Sequence, residues 1–168
     1  MRFSAVFPAI AIAAVMVLGN CNSAAADDRD ECKTASGDAA IEACTRAIDS
    51  KKFNGAKNKR VLSLLYTNRG VEYEIKKEFD KAIVDHDQAI KIDAKNPAPY
   101  NNRGNAYAGK QDWEHAIADF DMAIKLNPKY AEAFFNRGMA KRNRGDMAAS
   151  ETDIAQAKEL QPGIGSTQ

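Results

Sequence analysis

Residues 98–128, APYNNRGNAYAGKQDWEHAIADFDMAIKLNP, decide the fold of this chain. Their apolar and small residues recur at helical spacing in two runs, which predicts two short amphipathic helices joined by a tight turn. Pro128 ends the second run, because proline cannot continue a helix. The supporting positions are Tyr100, Gly104 and Tyr107 in the first helix, and Ala116, Phe120 and Ala123 in the second.

The triplet Asn-Arg-Gly occurs three times at one fixed period. It occupies residues 68–70, 102–104 and 136–138, so successive copies lie 34 residues apart. A period of this size is typical of helical solenoids, in which each repeat is one helix pair that packs on its neighbours. The sequence therefore predicts an all-α solenoid of antiparallel helix pairs within 59–162. The predicted repeats are 63–96, 97–130 and 131–164, and residues 163–168 are expected to be a flexible tail.

The first 26 residues have the order of a secretory signal peptide. Arg2 gives a positive start, residues 5–18 are almost wholly apolar, and small residues precede Asp27. Cleavage after Ala26 would release a periplasmic or secreted protein. The alternative is lipoprotein processing, which would lipidate Cys21 and anchor the chain to a membrane. Asn20 departs from the small residue expected before a lipidated cysteine.

The cysteine count fits the soluble alternative. Cleavage after Ala26 removes Cys21 and leaves Cys32 and Cys44, an even pair that an oxidising compartment favours as a disulfide. A turn at residues 36–38 would let two helices fold back and bring the cysteines together. We therefore predict a disulfide-stapled helical hairpin, a degenerate half-repeat, at 27–58. Two buried free thiols and a redox-active pair are the alternatives, although no C-x-x-C motif is present.

Composition narrows the possible partners. The chain has 168 residues, of which 45% are apolar and 28% charged, as in an ordinary globular domain. Its net charge is +1, so no overall field points to nucleic acid or to a membrane surface.

The repeat unit resembles the tetratricopeptide repeat (TPR), whose pattern sets an aromatic, a small residue and Tyr, and then Ala, Phe, Ala and Pro, across 34 positions. The middle unit carries the whole pattern. The first unit departs from it at His86 and Ala94, and the third departs at Lys141, Ser150 and Ile154. Arginine stands where the family usually has leucine, at Arg69, Arg103 and Arg137.

This resemblance implies a right-handed stack in which the first helix of each pair lines a concave groove. The implied partner is a protein or peptide, held as an extended or helical segment, and neither enzymatic activity nor a cofactor is expected. Another binding mode of the family, a clamp for terminal carboxylates, is not expected. Its basic and amide residues are replaced here by Thr67, Val71, Glu132 and Asn136.

Asparagines are the candidate peptide-binding residues. Asn68, Asn102 and Asn136 occupy the same position of the three first helices and are expected to face the groove. Asn101 and Asn105 add amides beside the middle one. A side-chain amide offers both donors and an acceptor, so it can pair with a peptide backbone without reading its sequence. The alternative is that these amides bond to neighbouring helices and tune the packing of the repeats.

Candidate catalytic groups are few. His86 falls on the core stripe of a second helix and is expected to be a packed histidine, whereas His115 is expected at the surface. No His or Cys cluster has the spacing of metal ligands. Carboxylates recur in the second helices and are expected mostly to form their solvated face, at Asp85, Asp87, Asp119, Asp121 and Asp153.

The C-terminal end of the array is expected to be partly open. Met147, Ile154 and Leu160 would lie on a face that no further helix covers, which makes it a candidate for self-association. Two other functions remain open at this stage. The chain could be a lipid-anchored envelope assembly factor, or a thiol oxidoreductase that uses Cys32 and Cys44.

Overall fold

The computed structural model describes residues 21–165, with side chains from Asp28 onward. The apolar run at 5–18 and residues 166–168 therefore lie outside the described part. Within it the chain forms eight α-helices and no strand. The helices are α1 (Cys21–Thr34), α2 (Gly37–Asp49), α3 (Lys59–Ile75), α4 (Phe79–Ile92), α5 (Pro97–Gly109), α6 (Trp113–Leu126), α7 (Ala131–Arg144) and α8 (Met147–Leu160).

The helices stack as consecutive antiparallel pairs. Each helix packs chiefly on the helix before it and the helix after it in the chain. The first helices of the pairs also contact one another in order, α1 with α3, α3 with α5, and α5 with α7. The predicted right-handed solenoid, with a helical hairpin ahead of three repeats, is confirmed.

The glycine of each triplet allows the two helices of its pair to approach closely. A Cβ added at Gly104 would lie 2.7 Å from Cε1 of Phe120, and one added at Gly70 would lie 2.5 Å from Cε1 of His86. Both distances are far inside van der Waals contact. Only a residue without a side chain therefore fits where the second helix places its large central side chain.

The arginine of each triplet connects its helix to two others. Arg103 of α5 donates from Nε and Nη2 to both carboxylate oxygens of Asp119 on α6, at 2.8 and 2.6 Å. Its Nη1 donates to Asp87 on the preceding α4. The guanidinium carbon also lies 5.8 Å from the centre of the Tyr100 ring, within cation–π range. One side chain thus joins the two helices of a repeat to each other and to the previous repeat.

The same connection recurs in the neighbouring repeats. Arg137 pairs in the same two-pronged way with Asp153, and its Nη1 donates to Asp121 of the previous repeat. Arg69 pairs with Asp85, but its Nη1 donates at 2.9 Å to the hydroxyl of Thr45 on α2. We call these contacts the Arg–Asp lattice.

The expectation that these aspartates mostly form a solvated face is wrong, because three of the five are buried. Asp85, Asp119 and Asp153 are buried, and Asp119 is only 5% exposed. A buried carboxylate must be paired to remain charged, and the bidentate arginine supplies that pairing. Their recurrence therefore reflects the lattice and not solubility.

The N-terminal hairpin is held by covalent and ionic contacts. A disulfide joins Cys32 of α1 to Cys44 of α2, as the cysteine pair predicts. For a loop of this size, restriction of the unfolded chain is worth about 3 kcal/mol. The hairpin is tied to the repeats where the Gly37 N–H donates to Oε2 of Glu72, at 2.7 Å.

The C-terminal end is partly covered by the turn that follows α8. Ile164 is half-buried and lines a hollow with Phe135, Ile154 and Lys158. Met147 stays 58% exposed at the start of α8, while Leu160 is half-buried. Among the described residues, no helix has the length and apolarity needed to cross a membrane.

The lattice predicts a specific pattern of stability loss. Arg103→Leu should lower the free energy of unfolding by about 3 kcal/mol, because it leaves Asp119 buried and unpaired. Adding Asp119→Ala should recover more than half of that loss, since the unpaired charge is then removed. Urea unfolding followed by circular dichroism measures both variants.

Arg144→Leu is the matched control. Its pair with Asp146 is exposed, so its loss should cost less than about 1 kcal/mol. Equal losses in the Arg103 and Arg144 variants would contradict the structural role of the lattice.

Candidate peptide-binding groove

The asparagines of the three triplets are oriented by the arginines that follow them. In each triplet the asparagine precedes the lattice arginine by one residue, which turns it about 100° around the helix. Because the arginine is fixed towards the second helices, Asn68, Asn102 and Asn136 share one orientation on α3, α5 and α7. All three are half-buried.

Asn101 plays a different part from the one predicted. Its side chain is 2% exposed, so it lies in the packing layer between α5 and α7 and offers no surface to a ligand. Its Oδ1 accepts a hydrogen bond from Nδ2 of Asn136 at 3.2 Å, and its Nδ2 donates at 3.4 Å to Oδ1 of Asn102. Asn101 therefore links the second and third positions of the asparagine row.

The asparagines differ in how much hydrogen-bonding capacity they retain. Asn68 and Asn105 make no side-chain hydrogen bond to any described residue, whereas Asn102 and Asn136 each spend one on Asn101. An amide has two N–H donors and an oxygen acceptor. Asn68 therefore keeps its whole capacity for a partner, and the other two keep most of theirs. The packing alternative holds for Asn101 and only in part for Asn102 and Asn136.

The sequence did not single out α1 as part of this surface. Arg29, Asp30 and Lys33 of α1 face Val61, Leu64 and Asn68 of α3 across a hollow of about 270 Å³. Leu64 is 49% exposed there. Residues 61, 64 and 68 follow helical spacing, which indicates that they share one face of α3. The sequence of a single hairpin does not show which face of α1 lies beside them.

The two histidines differ in burial and in their partners. His86 is fully buried, and its Nε2 lies 2.7 Å from Oε1 of Glu74, as expected for a packed histidine. His115 is exposed, stacks on Tyr107 and bonds to Asp112. The described residues contain no group of three or more His, Cys, Asp or Glu side chains placed to hold a metal ion.

The charges behind the groove are fixed at neutral pH. Hydrogen bonding to Asp119 raises the pKa of Arg103 and outweighs its burial, which acts in the opposite direction. Burial acts to raise the pKa of Asp153, but hydrogen bonds from Arg137 and Lys141 hold it below its usual value. Arg103 therefore stays protonated and Asp153 ionised near pH 7, so both act as fixed charges.

Comparison with known protein families identifies the repeats. Family models described as tetratricopeptide repeat match residues 97–130 and 131–164, and a model described as TPR repeat matches residues 70–111. Together they extend over residues 70–164. No curated protein sequence matches the chain significantly.

Solved structures share the fold. The first TPR domain of human RPAP3 is 27% identical with a TM-score of 0.59, covering 60% of this chain and 79% of that one. The second TPR domain of human RPAP3, in complex with the HSP70 peptide SGPTIEEVD, is 28% identical with a TM-score of 0.58, covering 65% and 88%. The Sgt2 TPR domain from Aspergillus fumigatus is 29% identical with a TM-score of 0.59, covering 62% and 69%.

Substitution of the buried Asn101 and of the unpaired Asn68 should have different effects on the free energy of unfolding. Asn101→Ala removes a buried amide and leaves its partners unsatisfied, so it should lower the free energy of unfolding by about 1–2 kcal/mol. Asn68→Ala breaks no internal hydrogen bond and should change it by less than about 0.5 kcal/mol. Thermal and urea unfolding of the two variants test this, and a larger loss for Asn68→Ala would assign it to packing.

Proposed function

Because this chain belongs to the tetratricopeptide repeat family, we propose that it is a protein-interaction module that holds an extended segment of a partner in its concave groove. One observation carries the proposal. The first helices present asparagine side chains at one repeating position, and that of Asn68 has no partner within the described residues.

The chemistry of an amide row suits backbone recognition. An extended segment exposes N–H and C=O groups along its length, and each asparagine can accept from one and donate to the other. Such contacts hold a segment without specifying its side chains, which are read by neighbouring pockets. The lattice holds the helices that carry the row in place, so little backbone freedom is lost on binding.

Related domains support a peptide as the ligand. The second TPR domain of human RPAP3 is described in complex with the HSP70 peptide SGPTIEEVD. In this chain the positions of a carboxylate clamp are not basic. Thr67 is buried with its hydroxyl donating to the Ser63 carbonyl, and Glu132 is acidic. We therefore propose that the groove holds the backbone of a partner segment and does not bind a terminal carboxylate.

The proposal includes export. The apolar run at 5–18 and the pairing of Cys32 with Cys44 support an oxidising destination for the mature chain. A thiol oxidoreductase is not favoured, because both cysteines are buried and a partner thiol must reach the sulfur it attacks. The lipid-anchored assembly factor is the competing form of the same module.

Processing distinguishes soluble export from the lipid anchor. Intact-mass measurement of the mature protein from its native host should give a chain that begins at Asp27, without a lipid, because small residues precede that position. A mass that corresponds to lipidated Cys21 would overturn soluble export and leave the binding proposal standing.

Groove binding is tested with peptides displayed on phage. Selection of a random 12-residue library on the oxidised full chain should enrich sequences, and a labelled peptide of the most enriched sequence gives a Kd by fluorescence anisotropy. Asn68→Ala combined with Asn102→Ala should weaken binding about tenfold, since each lost backbone hydrogen bond costs about 0.5–1.5 kcal/mol.

The control is an asparagine outside the row. Asn143 lies at the exposed end of α7, so Asn143→Ala should leave the Kd unchanged. If no peptide is enriched, or if the Asn68/Asn102 variant binds as the parent does with an intact fold, the groove proposal is wrong.

A further inference from the structure

The segment that connects the N-terminal hairpin to the repeats contains a reactive dipeptide. Residues 50–58, which we call the joint, lie between the end of α2 and the start of α3. Within it, Asn54 is the only asparagine of the chain that a glycine follows. Phe53 is buried and packs with Cys44 and Leu65, whereas Asn54 and Gly55 are exposed. The joint is therefore anchored at Phe53 and open to water immediately after it.

The backbone of the joint leaves the reacting groups of this dipeptide unengaged. The N–H of Asn54 donates to the Lys51 carbonyl at 3.2 Å, and the Gly55 carbonyl accepts from the N–H of Asn58 at 2.8 Å. These bonds close the turn on either side of the Asn54–Gly55 peptide. The side chain of Asn54 and the N–H of Gly55 make no hydrogen bond to any described residue. Both groups are therefore available to each other.

The glycine also removes the steric barrier to their reaction. An asparagine side chain can close a five-membered ring with the next backbone nitrogen, and a β-carbon on that next residue hinders the closure. A Cβ added at Gly55 would meet nothing within 4 Å, so no neighbouring group blocks the ring. Residues 51–60 contain no acidic side chain that would oppose loss of the proton from the Gly55 nitrogen.

The other asparagines from residue 28 onward lack this combination. Asn96 and Asn127 precede prolines, whose nitrogen carries no proton. Asn58 precedes the first residue of α3, and its Nδ2 donates to the Lys52 carbonyl. The remaining ones lie inside helices, where the next N–H donates along the helix, at Asn68, Asn101, Asn102, Asn105, Asn136 and Asn143. The structure therefore distinguishes Asn54 from all of them.

We propose that Asn54 is a site of spontaneous deamidation that modifies the joint between the hairpin and the repeats. The Gly55 nitrogen gives up its proton and attacks Cγ of Asn54. The new N–C bond forms as the bond from Cγ to the side-chain nitrogen breaks, and ammonia leaves with the proton. Water then opens the resulting succinimide at either carbonyl and gives aspartate or isoaspartate. The net reaction consumes one water and releases one ammonia, and nothing is oxidised or reduced.

Both products change the joint. Each places a carboxylate in residues 51–60, where every other charged residue is basic. Isoaspartate also carries the main chain through the former side-chain carbon, which adds one methylene between Phe53 and Gly55. Because the core of the hairpin holds Phe53, the added length should disturb the turn bonds and weaken the attachment of the hairpin to α3. This inference is independent of what the groove binds.

Peptide mapping of the oxidised full chain tests the proposal. The protein is incubated at neutral and at mildly alkaline pH, digested with trypsin, and compared by mass spectrometry with a sample taken at the start. The peptide 53–57, FNGAK, should gain about 1 Da as its side-chain amide becomes a carboxyl group. The gain should be faster at the higher pH, because the Gly55 nitrogen reacts after it loses its proton. The peptide 104–110, GNAYAGK, carries the helical Asn105 and should stay unchanged.

Two variants separate the reaction from its effect on the joint. Gly55→Ala should slow the reaction about tenfold, because the new β-carbon hinders ring closure. It should keep the fold, since the φ of Gly55 is −78° and the space around it is open. Asn54→Asp carries the product's charge without the longer backbone. The isoaspartyl chain, isolated by reversed-phase chromatography and refolded with its disulfide intact, should melt at a lower temperature than Asn54→Asp.

The opposite results would overturn the proposal. A native chain that keeps its amide at Asn54, while the same chain reacts when it is unfolded in urea, would show that the fold protects this residue. Equal rates in Gly55→Ala and the parent chain, or an equal gain in the peptide 104–110, would overturn the assignment to Asn54 and Gly55. An isoaspartyl chain that melts together with Asn54→Asp would overturn the effect on the joint.

Discussion

The buried two-pronged contact between arginine and aspartate is the interaction on which the rest of this structure depends. Isolated, either charge would be too costly to bury, but the paired groups satisfy each other's hydrogen bonds. Apolar residues in place of a buried ion pair often give equal stability, so the contribution of the pair is to fix how the helices are arranged. Each guanidinium has directions fixed by its plane. Arg103 uses them to set the distance between α5 and α6 and the angle to α4 at the same time.

The groove inherits its order from that lattice. Within one triplet the asparagine belongs to the proposed binding row, the arginine anchors the helix, and the glycine lets the second helix approach closely. A movement of Arg137 would shift Asn136 and break its contact with Asn101. The Arg–Asp lattice and the row of asparagines are therefore one structural unit, which explains why both recur at the same period.

The two ends of the array differ because the lattice stops at each of them. At the N-terminal end Thr45 supplies a neutral hydroxyl where later repeats supply a second carboxylate, and the Cys32–Cys44 disulfide provides a covalent link there. At the C-terminal end Ala155 stands in the corresponding position and offers no acceptor. The array therefore begins with a disulfide-linked hairpin and ends with the turn at Ile164.

The sequence by itself determined the solenoid, the three repeats and the cysteine pairing, because period, glycine placement and cysteine count are local or additive properties. It also identified the asparagine row from position alone. Only the tertiary structure decided that Asp119 is buried while Asp121 is exposed, and that Asn101 packs while Asn68 stays free. Residues of the same type lie close together on one helix, but one is buried and the other is exposed. Which of them meets an arginine 16 residues away, or the hairpin formed by α1, depends on how helices distant in sequence are packed.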